Sequence, residues 1–171
     1  SLAKGVLQGG FVERDGKGIV FLGRSGTGKT TLTYFLHKEG FIFRSDEYLH
    51  LRWKGIVSYP RPLEVGDHTP PSSGKIFKDE TLFFYYPEAV EPEKIVPWEK
   101  IVFIFVLEKD RVGPALLPFE GPWAPLFHLP PGIHQFFSLL SLLKKRVYRL
   151  YPGGIEETVR YIVKTVERRG G

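Results

Sequence analysis

The chain has 171 residues, 42% hydrophobic and 15% aromatic, enough to bury a core as one domain spanning 1–171. Its 24 basic and 19 acidic residues give a formal charge of +5, which fits an acidic partner or simply a basic surface. It has no cysteine, which excludes a disulfide framework and a thiolate metal site, and no apolar run approaches the roughly 20 residues that span a bilayer. The first residues do not form a secretory leader, so the expectation is a cytoplasmic protein without a membrane partner. Lys144-Lys145-Arg146 and Arg168-Arg169 are the dense basic clusters. Both read as charges at helix C-termini, where they complement the dipole, so nucleic acid is not the expected partner.

In chain order, Gly5 to Glu13 and Gly18 to Leu22 read as strands joined by Arg14-Asp15-Gly16-Lys17, whose Asp-Gly pair signals a hairpin. The stretch F-L-G-R-S-G-T-G-K-T-T, Phe21 to Thr31, follows at once. It completes the G-x-x-x-x-G-K-S/T phosphate-binding pattern at Gly23, Gly28, Lys29 and Thr30. Gly23, Gly26 and Gly28 free the loop to turn its N–H groups toward phosphate oxygens, in company with Arg24, Ser25, Thr27 and Thr31. Lys29 would reach the outer phosphates and the Thr30 hydroxyl would ligate Mg²⁺. A helix is expected from Lys29 to Glu39, ended by Gly40, with its N-terminal partial charge aimed at the same spot.

Phe41 to Arg44 reads as the next strand, and Tyr48 to Tyr59 as one or two more, broken at Lys54-Gly55. Pro60 to Gly74 has loop composition. Thr81 to Tyr86 and Lys100 to Leu107 read as strands, the second apolar throughout as at a sheet centre. Pro114 to Pro131, rich in Pro, Gly and aromatics, reads as an ordered loop or lid. Ile133 to Lys145 and Gly154 to Arg168 read as helices, with Ile155, Val159, Ile162 and Val166 forming one buried stripe.

Asp46 and Glu47 lie 17 and 18 positions beyond Lys29, just after a strand. One carboxylate there could hold Mg²⁺ while its neighbour takes a proton from an acceptor hydroxyl. From spacing alone, a solvent-facing turn pair is an equal reading. Arg44, Arg52 and Arg61 are candidate phosphate or acceptor contacts, although each taken alone is more readily read as a surface or packing arginine. His68, beside Asp67, is a candidate proton carrier or an ordinary loop histidine. His37, His50, His128 and His134 lack metal-ligand spacing and receive no role.

Gln8-Gly9, the run Asp15 to Thr30, Glu39-Gly40 and Ser45-Asp46-Glu47 resemble the catalytic domain of HPr kinase/phosphorylase and its smaller relatives. Tyr59-Pro60-Arg61-Pro62-Leu63 also resembles a segment of those relatives. The resemblance implies an α/β fold, a PEP-carboxykinase-like P-loop domain with a mixed β-sheet, a hairpin leading into the P-loop, and C-terminal helices. It favours Thr30 and Asp46 as Mg²⁺ ligands, with Lys29, Asp46 and Glu47 as the catalytic group. Two positions depart from the family pattern. Gln8 stands where the family has histidine, an amide that cannot act as a base, and Glu47 stands where the second acid is usually aspartate. The match covers the catalytic domain alone, which points away from HPr itself as acceptor.

The expected activity is a Mg²⁺-dependent phosphotransferase that moves a phosphoryl group from ATP, or a related donor, to an acceptor hydroxyl on a small molecule or a protein serine. Gln8, Arg44, Arg61 and His68 are the candidate acceptor contacts. The sequence leaves open the acceptor, the donor (ATP, GTP, ADP or pyrophosphate) and the oligomeric state, hexamers being known among the related kinases. A P-loop ATPase or regulator is the alternative, with Glu108 after the apolar strand as its acid. A catalytically silent binding module is a third reading, motivated by Gln8.

Overall fold

A computed structural model of the chain describes residues 5–24, 26–58, 63–66, 75–79, 82–86, 94–129, 132 and 146–169, with backbone alone at 63–66, 75–79, 82–86 and 129. The hairpin forms as expected. β1 (Val6–Arg14) and β2 (Lys17–Leu22) pair antiparallel around Asp15 and Gly16, both at positive φ (51° and 75°), as a tight two-residue connection demands. β1 then divides its partners. Val6 to Gln8 pair with β4 (Tyr48–Arg52) and, at Val6 and Leu7, with β12 (Phe127–Leu129). Gly9 to Arg14 pair with β2, and Phe11 to Glu13 also with β3 (Ile42–Ser45).

The resulting ten-stranded sheet runs in the order β11 (Ala115–Pro118), β13 (Val147–Tyr151), β10 (Ile101–Leu107), β2, β1, β4, β5 (Gly55–Ser58) and β9 (Lys94–Pro97), with β3 and β12 attached to β1. β10 lies parallel to both β2 and β13, and the other pairings are antiparallel. A separate three-stranded sheet places β8 (Leu82–Tyr86) between β6 (Leu63–Gly66) and β7 (Lys75–Asp79).

The central strands are apolar on both faces because both are covered. Ile19 and Phe21 of β2, with Phe103, Phe105 and Leu107 of β10, face α1 (Lys29–Lys38) and α2 (Ile155–Arg169). Val20, Leu22, Ile104 and Val106 face Leu49, Ile56, Trp98 and Phe119. The expected stripe holds: Val159, Ile162 and Val166 are buried and Ile155 packs at its edge. α1 ends as the glycine predicts. Gly40 (φ 98°) donates to His37 O and Phe41 N–H reaches back to Leu36 O, a Schellman closure.

Several expectations are corrected. β6 lies inside the span read as loop, because pairing with β8 satisfies its backbone whatever its composition. Pro114 to Pro131, described as far as 129, contributes β11, β12 and a 3₁₀ turn at Ala124–Leu126. β7, β9 and β13 were not anticipated. Arg146 is no solvated helix-end charge, since its guanidinium donates to Trp98 O and Ile101 O and ties the start of β13 beneath β10. Arg168 and Arg169 do close a helix, in the last turn of α2. The helix expected over 133–145 lies outside the described residues.

Two contacts hold β1 in place. A Cβ on Gly9 would run into the Phe21 carbonyl, and one on Gly10 into Thr33 Oγ1 of α1, so only glycines allow this approach. Arg44 of β3, 1% exposed, places both Nε and Nη2 at 2.7 Å from Glu13 Oε2 of β1. Gly10→Ala is therefore expected to cost about 1–3 kcal/mol through overpacking. Glu13→Ala should cost about 3 kcal/mol or more by leaving a buried guanidinium without its carboxylate. Urea denaturation checks both, and a loss below ~0.5 kcal/mol in either would remove that contact as a determinant of the fold.

Candidate functional site

The glycine loop emerges from β2 where β10 ends beside it, with Leu22 in register with Val106. Gly26 (φ 81°) and Gly28 (φ 95°) have open space where a Cβ would project, so the demand for glycine there is conformational and not steric. Gly28 is the left-handed N-cap of α1 and offers no side-chain cap, which leaves the first N–H groups of the helix to another acceptor. Thr27 Oγ1 donates to Arg24 O at 2.7 Å and braces the loop. Ser25 lies outside the described residues. Thr31 sits exposed in the first turn of α1.

Lys29 is buried and folds back along the loop, its Nζ donating to Gly23 O (2.6 Å) and Arg24 O (2.8 Å). Burial lowers its pKa from the ordinary lysine value, and the nearby Asp46 carboxylate partly offsets that. Thr30 Oγ1 donates to Asp46 Oδ2 at 3.0 Å and lies 3.2 Å from Oδ1, so the end of β3 meets the start of α1. Asp46 is 6% exposed. Burial pushes its pKa up to about 6, against the lowering effect of the Thr30 hydroxyl, the Glu47 N–H and Lys29.

Glu47 occupies a strained position. Its φ is +73°, rare for a residue with a Cβ, and Tyr48 N–H closes a three-residue turn onto Asp46 O at 3.0 Å. The Glu47 carbonyl accepts Gly9 N–H at 3.0 Å, and its side chain is exposed. The turn is thereby fastened to the glycine pair of β1. Strain of this kind costs roughly 1–3 kcal/mol and persists where surrounding contacts impose it.

The structure thus brings together Gly23, Arg24, Gly26, Thr27, Gly28, Lys29, Thr30 and Asp46, with Glu47 next in chain. Arg44 is buried and its guanidinium pairs with Glu13, which agrees with the packing alternative. Arg52 is half-buried and donates to Leu51 O. Arg61 and His68 lie outside the described residues. Gln8 lines a cleft of about 580 Å³ together with Gly23, Arg24 and Thr27. Its other walls are the end of β10, at Glu108 to Asp110, and the Phe119 to His128 segment. Lys109 bridges from that wall to the loop, donating to Gly26 O at 2.9 Å.

Lys109 and His128 went unassigned by sequence reasoning, for neither belongs to a motif. Among the described residues no group of three His, Asp or Glu could hold a metal alone. Thr30 and Asp46 nevertheless fit Mg²⁺, which binds through hard oxygens, often only one or two from protein, with substrate phosphate and water supplying the rest. No helix among the described residues is long and apolar enough to cross a membrane.

The raised pKa of Asp46 carries a sign. A carboxylate with a folded pKa near 6, above its unfolded value near 4, makes the folded state bind more protons between those values. Its unfavourable contribution therefore grows as pH rises through that window and is complete above it. Asp46→Asn, measured by thermal denaturation at pH 7.5 in chelator, is expected to be more stable than wild type by about 1–2 kcal/mol, or roughly 3–6 °C, with the gain vanishing near pH 4. A destabilised variant at pH 7.5 would show that the carboxylate is well accommodated without a cation.

No protein-family model matches the chain, and no curated protein matches it. Among solved structures, the chain is similar to the Hpr(Ser) kinase/phosphatase from Coxiella burnetii, with 16% identity over 95% of this chain and 92% of that one. The TM-score is 0.45, too low for the likeness to decide fold or activity.

Proposed function

We propose that the chain is a Mg²⁺-dependent phosphotransferase that uses ATP or a related donor and resembles HPr kinase in its P-loop and acid pair. The observation that carries this reading is the meeting of the Thr30 hydroxyl with the buried Asp46 carboxylate, immediately after Lys29 and a loop of positive-φ glycines. A buried carboxylate beside a hydroxyl at a cationic helix start is costly in isolation and well suited to a hard divalent cation bearing phosphate. The hairpin that feeds the loop agrees with a PEP-carboxykinase-like arrangement.

In this reading the loop amides and Lys29 hold the donor phosphates. Thr30 and Asp46 would hold Mg²⁺, which when bound would supply positive charge beside the phosphate oxygens. An acceptor hydroxyl oxygen bonds to the γ-phosphorus and its proton passes to the Glu47 carboxylate. The bond from γ-phosphorus to the bridging oxygen breaks, leaving its electron pair on the departing diphosphate. The strained turn supports the assignment of Glu47, since a positive φ at a residue with a Cβ, imposed by surrounding contacts, is a feature that clusters at functional sites.

The ATPase alternative would use Glu108. Asp46, not Glu108, is the acid in contact with the Thr30 hydroxyl at the start of α1. That difference favours transfer.

Phosphorus NMR with Mg²⁺-ATP and a pool of hydroxyl-bearing metabolites tests the reading through a new phosphomonoester signal. Lys29→Ala is expected to lower the rate by about 10²–10³-fold. Glu47→Gln should lower it by about 10²–10⁴-fold with nucleotide affinity retained. Wild-type transfer by Glu47→Gln would remove its role as base. Phosphate release that needs no acceptor would put the ATPase reading first, and failure to bind any donor would end both.

A further inference from the structure

The cleft beside the glycine loop is a built cavity whose lining indicates its occupant. Its volume of about 580 Å³ lies within the range of small-molecule sites. The floor is apolar, with Val106, Leu107, Phe119, Leu126 and Phe127, and the rim is polar. Among the described lining residues two cations, Arg24 and Lys109, are matched by two acids, Glu108 and Asp110, so these four charges balance. Lys109 already donates to Gly26 O. An anionic ligand finds no surplus of positive charge there, and a neutral one meets a balanced set of donors and acceptors.

The individual groups suit hydroxyls. Glu108 is held loosely, at 3.4 Å from Tyr151 Oη and 3.7 Å from Arg149 Nε, distances that leave carboxylate lone pairs available. The Gln8 amide supplies one acceptor and two donors, and the exposed His128 adds an imidazole at the mouth. His128 leans on the Tyr48 ring at 5.2 Å, and Tyr48 pairs with Gln8 across β1 and β4. This wall of the cleft is therefore continuous with the Asp46-Glu47 turn, which Gly9 fastens to the same strand. A ligand in the cleft lies against the glycine loop at Gly23, Arg24 and Thr27, and Gln8 of its wall adjoins the strand residue Gly9 that holds the acid turn.

We infer that the cleft binds a neutral polyhydroxylated ring, a sugar or cyclitol, with Glu108, Gln8 and His128 reading its hydroxyls over the apolar floor. Its role as phosphoryl acceptor rests on the phosphotransferase reading; its binding does not.

Saturation-transfer-difference NMR on the full chain tests the site, with D-glucose, D-ribose, myo-inositol and glycerol each added without nucleotide. At least one ring polyol is expected to bind with millimolar affinity and glycerol to give no signal. Affinity for that polyol should fall about tenfold in Glu108→Gln and in the exposed-site variant His128→Ala, each checked for folding by near-ultraviolet circular dichroism. Lys29→Ala should lose ATP and keep the polyol. Absence of binding by all three ring polyols would overturn the inference. So would adenosine that displaces the polyol and is itself weakened by Glu108→Gln, since the cleft would then hold the donor's nucleoside. Polyol binding without ATP binding would leave the cleft site standing and sink the phosphotransferase reading, and the reverse result would do the opposite.

Discussion

Everything in the site depends on how closely β1 approaches its neighbours. Gly9 and Gly10 lie where any side chain would meet the Phe21 carbonyl or the Thr33 hydroxyl, so strand, strand and helix come together at backbone distance. The Glu13–Arg44 ion pair then draws β3 onto the far half of the same strand. Those two constraints carry the end of β3 to the start of α1, where Asp46 meets Thr30. A hydrophobic sheet alone would not specify that meeting, because apolar faces tolerate shifts that hydrogen-bonded and sterically filled contacts do not.

The electrostatics of the pocket follow from this geometry. Burial places the Asp46 carboxylate where water cannot fully solvate it, and the surrounding donors offset only part of the cost. The same burial disfavours the charge on Lys29. Lysine and carboxylate are thus each held at a disadvantage in their charged forms, which the proposed phosphate and divalent cation would relieve. Glu47, by contrast, is exposed and held by backbone strain, so its position is set by the turn and not by desolvation.

The Phe119 to His128 segment serves two roles with one set of residues. Phe119 lies in the core, T-shaped against Trp123, while the same stretch lines the cleft that Gln8 also lines. Core packing thus anchors the wall at Phe119, with Trp123, Leu126 and Phe127 packed partly against the same core. Lys109, reaching from the end of β10 to Gly26 O, joins that cleft to the loop.

The local elements were legible in the sequence where one short stretch carries its own physical cause. Asp15-Gly16 dictates the hairpin, Gly40 ends α1, the Ile155 to Val166 stripe marks α2, and the G-x-x-x-x-G-K-T spacing brings Lys29 and Thr30 to the start of a helix. Asp46 and Glu47 were visible as candidates, but composition could not separate a site pair from a turn facing solvent. What only the tertiary structure decided is what lies across from what: Arg44 against Glu13, Glu108 beside Tyr151, Lys109 on Gly26, and Gln8 sharing a cleft with His128 from a strand far along the chain. Propensity and motif spacing act over a few residues, whereas these neighbours are set by sheet order, and sheet order is chosen by the burial of two faces at once.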